Sequence, residues 1–240
     1  LIMRAMIFAA GLGTRLKPFT ENAPKALAVV NNKTLLQRNI EYLKLFGINE
    51  FVLNVHHFPD KIISFLKDNN NFNCTIKISD ETDALLETGG GLKKAAPYLI
   101  GKDPFVVMNV DILTNLDLGK MIEFHKTHKA LATLAVTTRN TSRYFLFNEQ
   151  NELCGWKNVT TGEEKIRRPN TTLQPKAFSG IHIIDPSIFN LIKQEGKFSM
   201  VDVYLDLCSN NTIIGYDHSS DSFIDVGKPE SIEQAERMFK

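Results

Sequence analysis

The sequence predicts an α/β protein built on a doubly wound, mainly parallel sheet with helices on both faces, and three observations predict it. Strand-like and helix-like segments trade places along most of the chain. The strand candidates are short continuous apolar runs, the composition of strands covered on both faces. The first of them, residues 5–10, ends in a glycine-rich turn, as a buried strand does when it delivers its carboxyl end to a loop.

The elements follow in order. From Thr34, a candidate N-cap, Leu36, Ile40, Leu43 and Phe46 recur at helical spacing and stop at Gly47, which suits a C-cap. Strands are expected at 50–55, near 75–78, at 105–110 and at 131–137, with helices from about Gly90 and around Met121. Residues 140–176 break the rhythm. They are polar and turn-rich around 158–162 and 168–170, which reads as a hairpin or excursion within a single domain spanning 1–240. Strands resume at 178–184, 212–216 and 222–226, and a last helix covers 229–239 behind Pro229. There is no internal repeat.

Composition excludes several classes of function. With 28 basic against 27 acidic side chains, a net charge of +1 and no cationic block, neither nucleic acid nor an anionic membrane is an expected partner. Cys74, Cys154 and Cys208 are odd in number and widely spaced, which argues against a disulfide framework and against zinc, and fits a reducing cytoplasm. No apolar stretch approaches the roughly 20 residues that span a bilayer. Leu1 and Ile2 precede a plausible start at Met3 and read either as an artificial addition or as the remnant of a longer N-terminus.

Ala9-Ala10-Gly11-Leu12-Gly13-Thr14-Arg15-Leu16 follows the first strand directly, where small residues let backbone N–H groups converge on an anion. No Gly-Lys-Ser/Thr follows, and Leu16 stands where a dinucleotide fingerprint has its third glycine, so the loop is neither a P-loop nor that fingerprint. Arg15 and Lys25 offer two cations for a chain of phosphates. Glycines alone fit an ordinary tight turn equally well.

The run from Ile7 to Leu16, continued by Pro18, Thr20, Pro24, Lys25 and Leu27, resembles the signature of sugar nucleotidylyltransferases, also called nucleotide-sugar pyrophosphorylases. Further along, Glu87-Thr88-Gly89-Gly90-Gly91, Asp111, Phe178-Ser179-Gly180 and the segment from Ile224 to Glu230 extend the likeness over nearly the whole chain. The resemblance implies a Rossmann-like nucleotidyltransferase fold and transfer of a nucleoside monophosphate from a nucleoside triphosphate to a sugar 1-phosphate, with release of pyrophosphate. It implies that Ala10, Gly11, Leu12, Gly13 and Thr14 wrap the triphosphate, that Arg15 holds the departing pyrophosphate, and that Lys25 lies on the phosphates near the reacting centre. Glu87, Thr88 and Gly89 match the segment on the base, and Ser179 and Gly180 a strand end near the sugar. Asp111 and Asp225 match the aspartates that bind Mg²⁺. The glutamate at Glu87 and the Phe-Ser-Gly-Ile run look most like N-acetylmuramate-1-phosphate uridylyltransferases. UTP with N-acetylmuramate 1-phosphate is therefore the first expectation, and GTP with mannose 1-phosphate the alternative.

The residues carry part of this independently. Asp111 and Asp225 each end an expected strand, so in a parallel-type sheet both carboxylates arrive at one edge, and two hard oxygen ligands with substrate phosphates suit Mg²⁺. A sugar phosphate is largely ionised at neutral pH, so the reaction needs cations rather than a catalytic base. Departures from the family pattern are Val110 before Asp111, Lys228 after Gly227, and Glu87 where many relatives have glycine. Lys165 is a candidate for the sugar phosphate, and His56 and His57 are assigned to the surface. A metal-dependent glycosyltransferase would need a D-x-D pair, but Asn109 and Val110 precede Asp111. A phosphocholine cytidylyltransferase would need an aromatic cage, for which one Trp and five Tyr give no cluster. A regulatory module that binds nucleotide without turnover is the rival from another class. A monomer or small homo-oligomer is expected.

Overall fold

The computed structural model describes residues 3–169 and 172–240. In chain order the elements are β1 (Arg4–Phe8), β2 (Val29–Val30), β3 (Lys33–Thr34), α1 (Leu35–Lys44), β4 (Glu50–Val55), α2 (Pro59–Asp68), β5 (Thr75–Asp80), α3 (Glu87–Leu99), β6 (Phe105–Asn109) and β7 (Ile112–Thr114). There follow α4 (Leu118–His128), β8 (Ala132–Thr137), β9 (Arg143–Phe147), β10 (Leu153–Asn158), β11 (Glu164–Ile166), β12 (Gln174–Ile184), α5 (Met200–Leu207), β13 (Ile213–Asp217), β14 (Phe223–Asp225) and α6 (Pro229–Met238).

β1 lies inside the central sheet, parallel to β4 on one side and to β6 on the other, with β5 parallel beyond β4. β1, β4 and β6 carry few polar side chains because helices cover both faces, whereas β5 at the edge is mostly polar. Ala5 and Ile7 of β1 point into the core that holds Leu36, Ile40 and Leu43 of α1, Ile62 and Leu66 of α2, and Met121 of α4. Met6 and Phe8 point the other way, onto Leu92, Ala95 and Leu99 of α3 and Val203 and Tyr204 of α5. That is the doubly wound arrangement, produced by the two-residue period of a strand with apolar residues at every position. Each aliphatic side chain so buried stabilises the fold by about 1.5–3 kcal/mol. Thr34 caps α1 as expected, its hydroxyl accepting from the Gln37 N–H at 3.1 Å.

Beyond β6 the sheet changes direction. β12 runs antiparallel to β6 and to β8, and β13 pairs with β8 in parallel. The 140–176 excursion is itself sheet: β9, β10 and β11 form an antiparallel ladder, and β9 joins the main sheet by pairing Phe147 and Phe145 with Gln174 and Lys176 of β12. The turn expected at 168–170 ends outside the described residues, as do Leu1 and Ile2.

Three sequence expectations need correction. The expected 222–226 strand is real as β14, yet it leaves the central sheet and pairs with β7 in a separate two-stranded ribbon. Helices α2 and α5 went unpredicted. The helix expected from Gly90 begins at Glu87, which places the three glycines inside its first turns.

Candidate active site

The carboxyl ends of β1, β4, β5 and β6 open on one cleft of about 370 Å³. It is lined by Phe8, Ala10 and Gly11, by Lys25, by Asn54 of β4, by Glu81 and Leu85 beyond β5, by Glu87 and Thr88 of α3, and by Asn109, Val110 and Asp111. Ligand sites in open α/β sheets lie at this edge.

The loop after β1 is closed on itself. Gly13 has φ +63°, and a Cβ there would stand 2.7 Å from Thr20 Cγ2 and 3.1 Å from Lys25 Cβ, so only glycine fits. The Thr20 hydroxyl donates to the Gly13 carbonyl at 2.9 Å, and His57 Nε2 lies 2.9 Å from the Thr20 carbonyl. A Cβ on Gly11 would meet nothing within 4 Å, which leaves the loop backbone open to the cleft. Leu12 and Thr14 are exposed and lie outside the cleft lining.

Lys25 and Asp111 form a mostly buried ion pair. The Arg15 guanidinium stands 3.9 Å from Asp225 on the more exposed side. Asp225 reaches Asp111 by a route the sequence did not show. β14 pairs with β7, Asp225 lies opposite Ile112, and the Val226 N–H donates to the Asp111 carbonyl at 2.8 Å, which brings the two carboxyl groups together. Burial first, and then the Asp111 charge, push the Asp225 carboxyl above its ordinary value, against the pull of Lys25 and Arg15. Lys25 and Asp111 thus line one end of the cleft, and the Arg15 and Asp225 pair stands beside Asp111, outside the cleft lining. Among the described residues no group of three or more His, Cys, Asp or Glu side chains is placed to hold a metal.

At the other end, Glu87 takes the left-handed conformation with φ +59° and lies 3.5 Å from Lys197. The glycines behind it serve close packing. A Cβ on Gly89 would stand 2.4 Å from the Phe198 ring, on Gly90 2.2 Å from the Gly196 carbonyl, and on Gly91 2.6 Å from Glu81 Oε1. Gly89 is buried and gives its N–H to the Phe198 carbonyl at 2.9 Å. Thr88 lines the cleft while its hydroxyl accepts from the Met200 N–H at 2.9 Å.

The two residues expected near the sugar lie outside the cleft lining. Ser179 is 1% exposed and its hydroxyl bonds His218 Nε2 at 2.7 Å. Gly180, with φ +72°, is packed under Asn109, where a Cβ would stand 2.6 Å from Nδ2. Neither lines the cleft, and Gly180 acts on the site by letting Asn109 sit where it does. Lys165 sits on edge strand β11, 3.3 Å from Glu163 and over the Trp156 ring at 5.5 Å, away from the cleft. His56 and His57 are half-buried brackets rather than free surface residues, the Nδ1 of His56 lying 2.6 Å from the Glu81 carbonyl.

Sequence reasoning missed Asn54, Glu81, Asn109 and Arg139. Asn54 had a readable signal, a polar residue inside an apolar strand. Arg139 donates to the Phe178 carbonyl at 2.6 Å and lies over the Phe223 ring at 4.9 Å, tying β12 to the ribbon that carries Asp225.

The nucleotidyl transferase family model matches residues 4–240. The chain belongs to that family. This nucleotidyl transferase is 32% identical over 194 residues to mannose-1-phosphate guanylyltransferase 1 of Arabidopsis thaliana, covering 80% of this chain and 52% of that protein. It is 29% identical over 233 residues to a mannose-1-phosphate guanyltransferase of Aspergillus oryzae, covering 95% and 62%. The nucleotidyl transferase chain thus spans less than two thirds of the length of these curated relatives. Among solved structures it resembles HddC from Yersinia pseudotuberculosis complexed with GMP-PN, with a TM-score of 0.77, 24% identity and 100% of both chains covered. It also resembles a UDP-glucose pyrophosphorylase complexed with UDP-glucose, with a TM-score of 0.79, 19% identity and coverage of 100% and 98%. Those two likenesses establish the α/β fold. No helix among the described residues is long and apolar enough to cross a membrane.

Proposed function

We propose that this nucleotidyl transferase joins a nucleoside triphosphate to a sugar 1-phosphate, giving a nucleoside diphosphate sugar and pyrophosphate. One observation carries the reading: Lys25 and Asp111 pair in the lining of a cleft that also takes in the loop backbone at Ala10 and Gly11, with the Arg15 and Asp225 pair beside Asp111, the charge pattern that a triphosphate and a divalent cation require. An oxygen of the sugar phosphate attacks the α-phosphorus in line. The new P–O bond forms as the bond to the β-phosphate's bridging oxygen breaks, and pyrophosphate departs. The attacking oxygen is already ionised, so no base takes a proton.

The work of the protein is then positioning and charge neutralisation. The loop at Ala10 and Gly11 takes the phosphates against its backbone, and Arg15, on the exposed rim, faces the departing pyrophosphate. Lys25 is held by Asp111 without ligand and turns to the phosphates when they arrive. Asp111 and Asp225 fit Mg²⁺: they are two hard carboxylates side by side, the Asp111 charge adds to burial in raising the proton affinity of Asp225, and phosphates and water would supply the ion's remaining ligands. When bound, the ion would spread the charge developing on the phosphates.

For the specific substrates, the Glu-Thr-Gly-Gly-Gly run from Glu87 together with Phe178-Ser179-Gly180-Ile181 is similar to that of N-acetylmuramate-1-phosphate uridylyltransferases and supports UTP with N-acetylmuramate 1-phosphate, while Glu87 by itself does not decide the base. The names of the relatives support a second pair, GTP with mannose 1-phosphate. The test is pyrophosphate release with Mg²⁺ over UTP, GTP, dTTP and CTP against N-acetylmuramate, mannose and glucose 1-phosphates. Turnover with one pair names the substrates. Nucleotide binding without turnover on any sugar phosphate supports a regulatory module instead.

A further inference from the structure

We propose that Asn54 and Glu81 are a positioning pair that sets the phosphate loop in register with the nucleoside end of the cleft. Asn54 is 3% exposed and Glu81 0%, yet both line the cleft wall. The Ala9 N–H donates to Asn54 Oδ1 at 2.8 Å, one residue before the loop segment that faces the cleft. Asn54 Nδ2 donates to Glu81 Oε1 at 2.8 Å, and Glu81 Oε2 accepts from the Leu86 N–H at 3.2 Å, one residue before Glu87. A continuous hydrogen-bonded chain thus runs from the phosphate loop to the first turn of α3. Asn54 is held in β4 between β1 and β5, and Glu81 by two bonds at its own backbone: its N–H donates to the Val55 carbonyl at 2.8 Å, and its carbonyl meets His56 Nδ1. Gly91 leaves the room, since a Cβ there would stand 2.6 Å from Glu81 Oε1 and 3.1 Å from Asn54 Nδ2.

A buried carboxylate is tolerated only when its oxygens are met by donors. Here they are met by one amide side chain and one backbone N–H from the two segments that flank the ligand space. Glu81 accordingly acts through the loop and the helix rather than by touching the substrate. Substitution leaves buried donors unmet and lets the two walls drift relative to each other. The inference rests on the proposed function for its ligand and on geometry alone for the coupling.

The polarity of the chain supplies a decisive experiment. Asn54→Asp alone sets two carboxylates face to face, and Glu81→Gln alone sets an amide N–H₂ against a donor. Together they rebuild every link, with donor and acceptor exchanged in the middle one alone: the new carboxylate accepts from Ala9 and from the new amide, whose oxygen accepts from Leu86. Titration calorimetry with UTP and with GTP, beside amide hydrogen exchange at Ala9 and Leu86, is to be run on the wild type, both single variants, the double variant and Asn54→Ala. Expected are a loss of nucleotide affinity of roughly ten- to a hundredfold in each single variant, faster exchange at both amides, and recovery to within about threefold in the double variant. Single variants that keep wild-type affinity and exchange, or a double variant no better than the worse single one, overturn the proposal. A wild type that binds neither nucleotide, with the exchange coupling intact, overturns the proposed function and the nucleotide role of the pair while leaving the coupling established.

Discussion

Replacing Gly13 by alanine puts a methyl group where the loop has no room and holds an L-residue at φ +63°. The left-handed conformation costs about 1–2 kcal/mol. The contact at 2.7 Å with Thr20 Cγ2 and the one at 3.1 Å with Lys25 Cβ add overpacking of about 1–3 kcal/mol. Urea unfolding should therefore show a loss of about 2–5 kcal/mol. Because the crowded neighbour is Lys25, the folded fraction should also lose turnover as the ammonium shifts from Asp111. Gly11→Ala is the control. Its Cβ meets nothing within 4 Å, so stability should stay within about 0.5 kcal/mol while nucleotide affinity falls, the methyl entering ligand space. A Gly13→Ala variant as stable as wild type, or a Gly11→Ala variant destabilised as much as Gly13→Ala, would refute the assignment of one glycine to fold and the other to ligand.

Lys25→Met removes the cation that offsets Asp111 and should lower kcat by about a hundredfold or more, read as steady-state pyrophosphate release. Glu87→Gly relieves the left-handed strain at φ +59° and should raise unfolding stability by about 0.5–1 kcal/mol while raising the KM for nucleotide, a gain and a loss that separate strain from function. Acid should destabilise the fold well above the carboxylate range. Burial drops the His182 imidazole to about 3, and His125 to about 4. Below pH 6.5 the unfolded chain binds protons that the folded chain refuses, so unfolding free energy falls by up to about 1.4 kcal/mol per pH unit for each histidine until pH passes the folded value. His182→Asn should flatten that slope in urea titrations between pH 7 and pH 5.

The sequence was most informative where short-range rules decide. The glycine loop, the capped α1 and the parallel strands β1, β4 and β6 all follow from spacing and burial that neighbouring residues dictate. Lys25 and Asp111 stand together because each is fixed to the end of such an element. Asp225 was expected at the cleft for the wrong geometric reason: a three-residue strand carries no sign of which partner it pairs with, and β7 could not be told from the strand before it. α5 is apolar on most of its surface, so its helical period was hidden. α2 buries only Ile62 and Leu66, too few to show a stripe. Nothing local marks that the Ser179 hydroxyl will meet a histidine 39 residues away. The Asn54 and Glu81 contact spans 27 residues and is visible only once β4 and β5 are side by side.

The most direct test of the central claim is to follow the α-phosphate. Nucleoside triphosphate labelled at the α-position is incubated with sugar 1-phosphate, Mg²⁺ and the protein, and the products are separated. Nucleotidyl transfer predicts label in the nucleoside diphosphate sugar, unlabelled pyrophosphate in equal amount, and loss of both with Asp111→Ala. Label that remains in triphosphate, or that appears in free nucleoside monophosphate with or without the sugar phosphate, would contradict it.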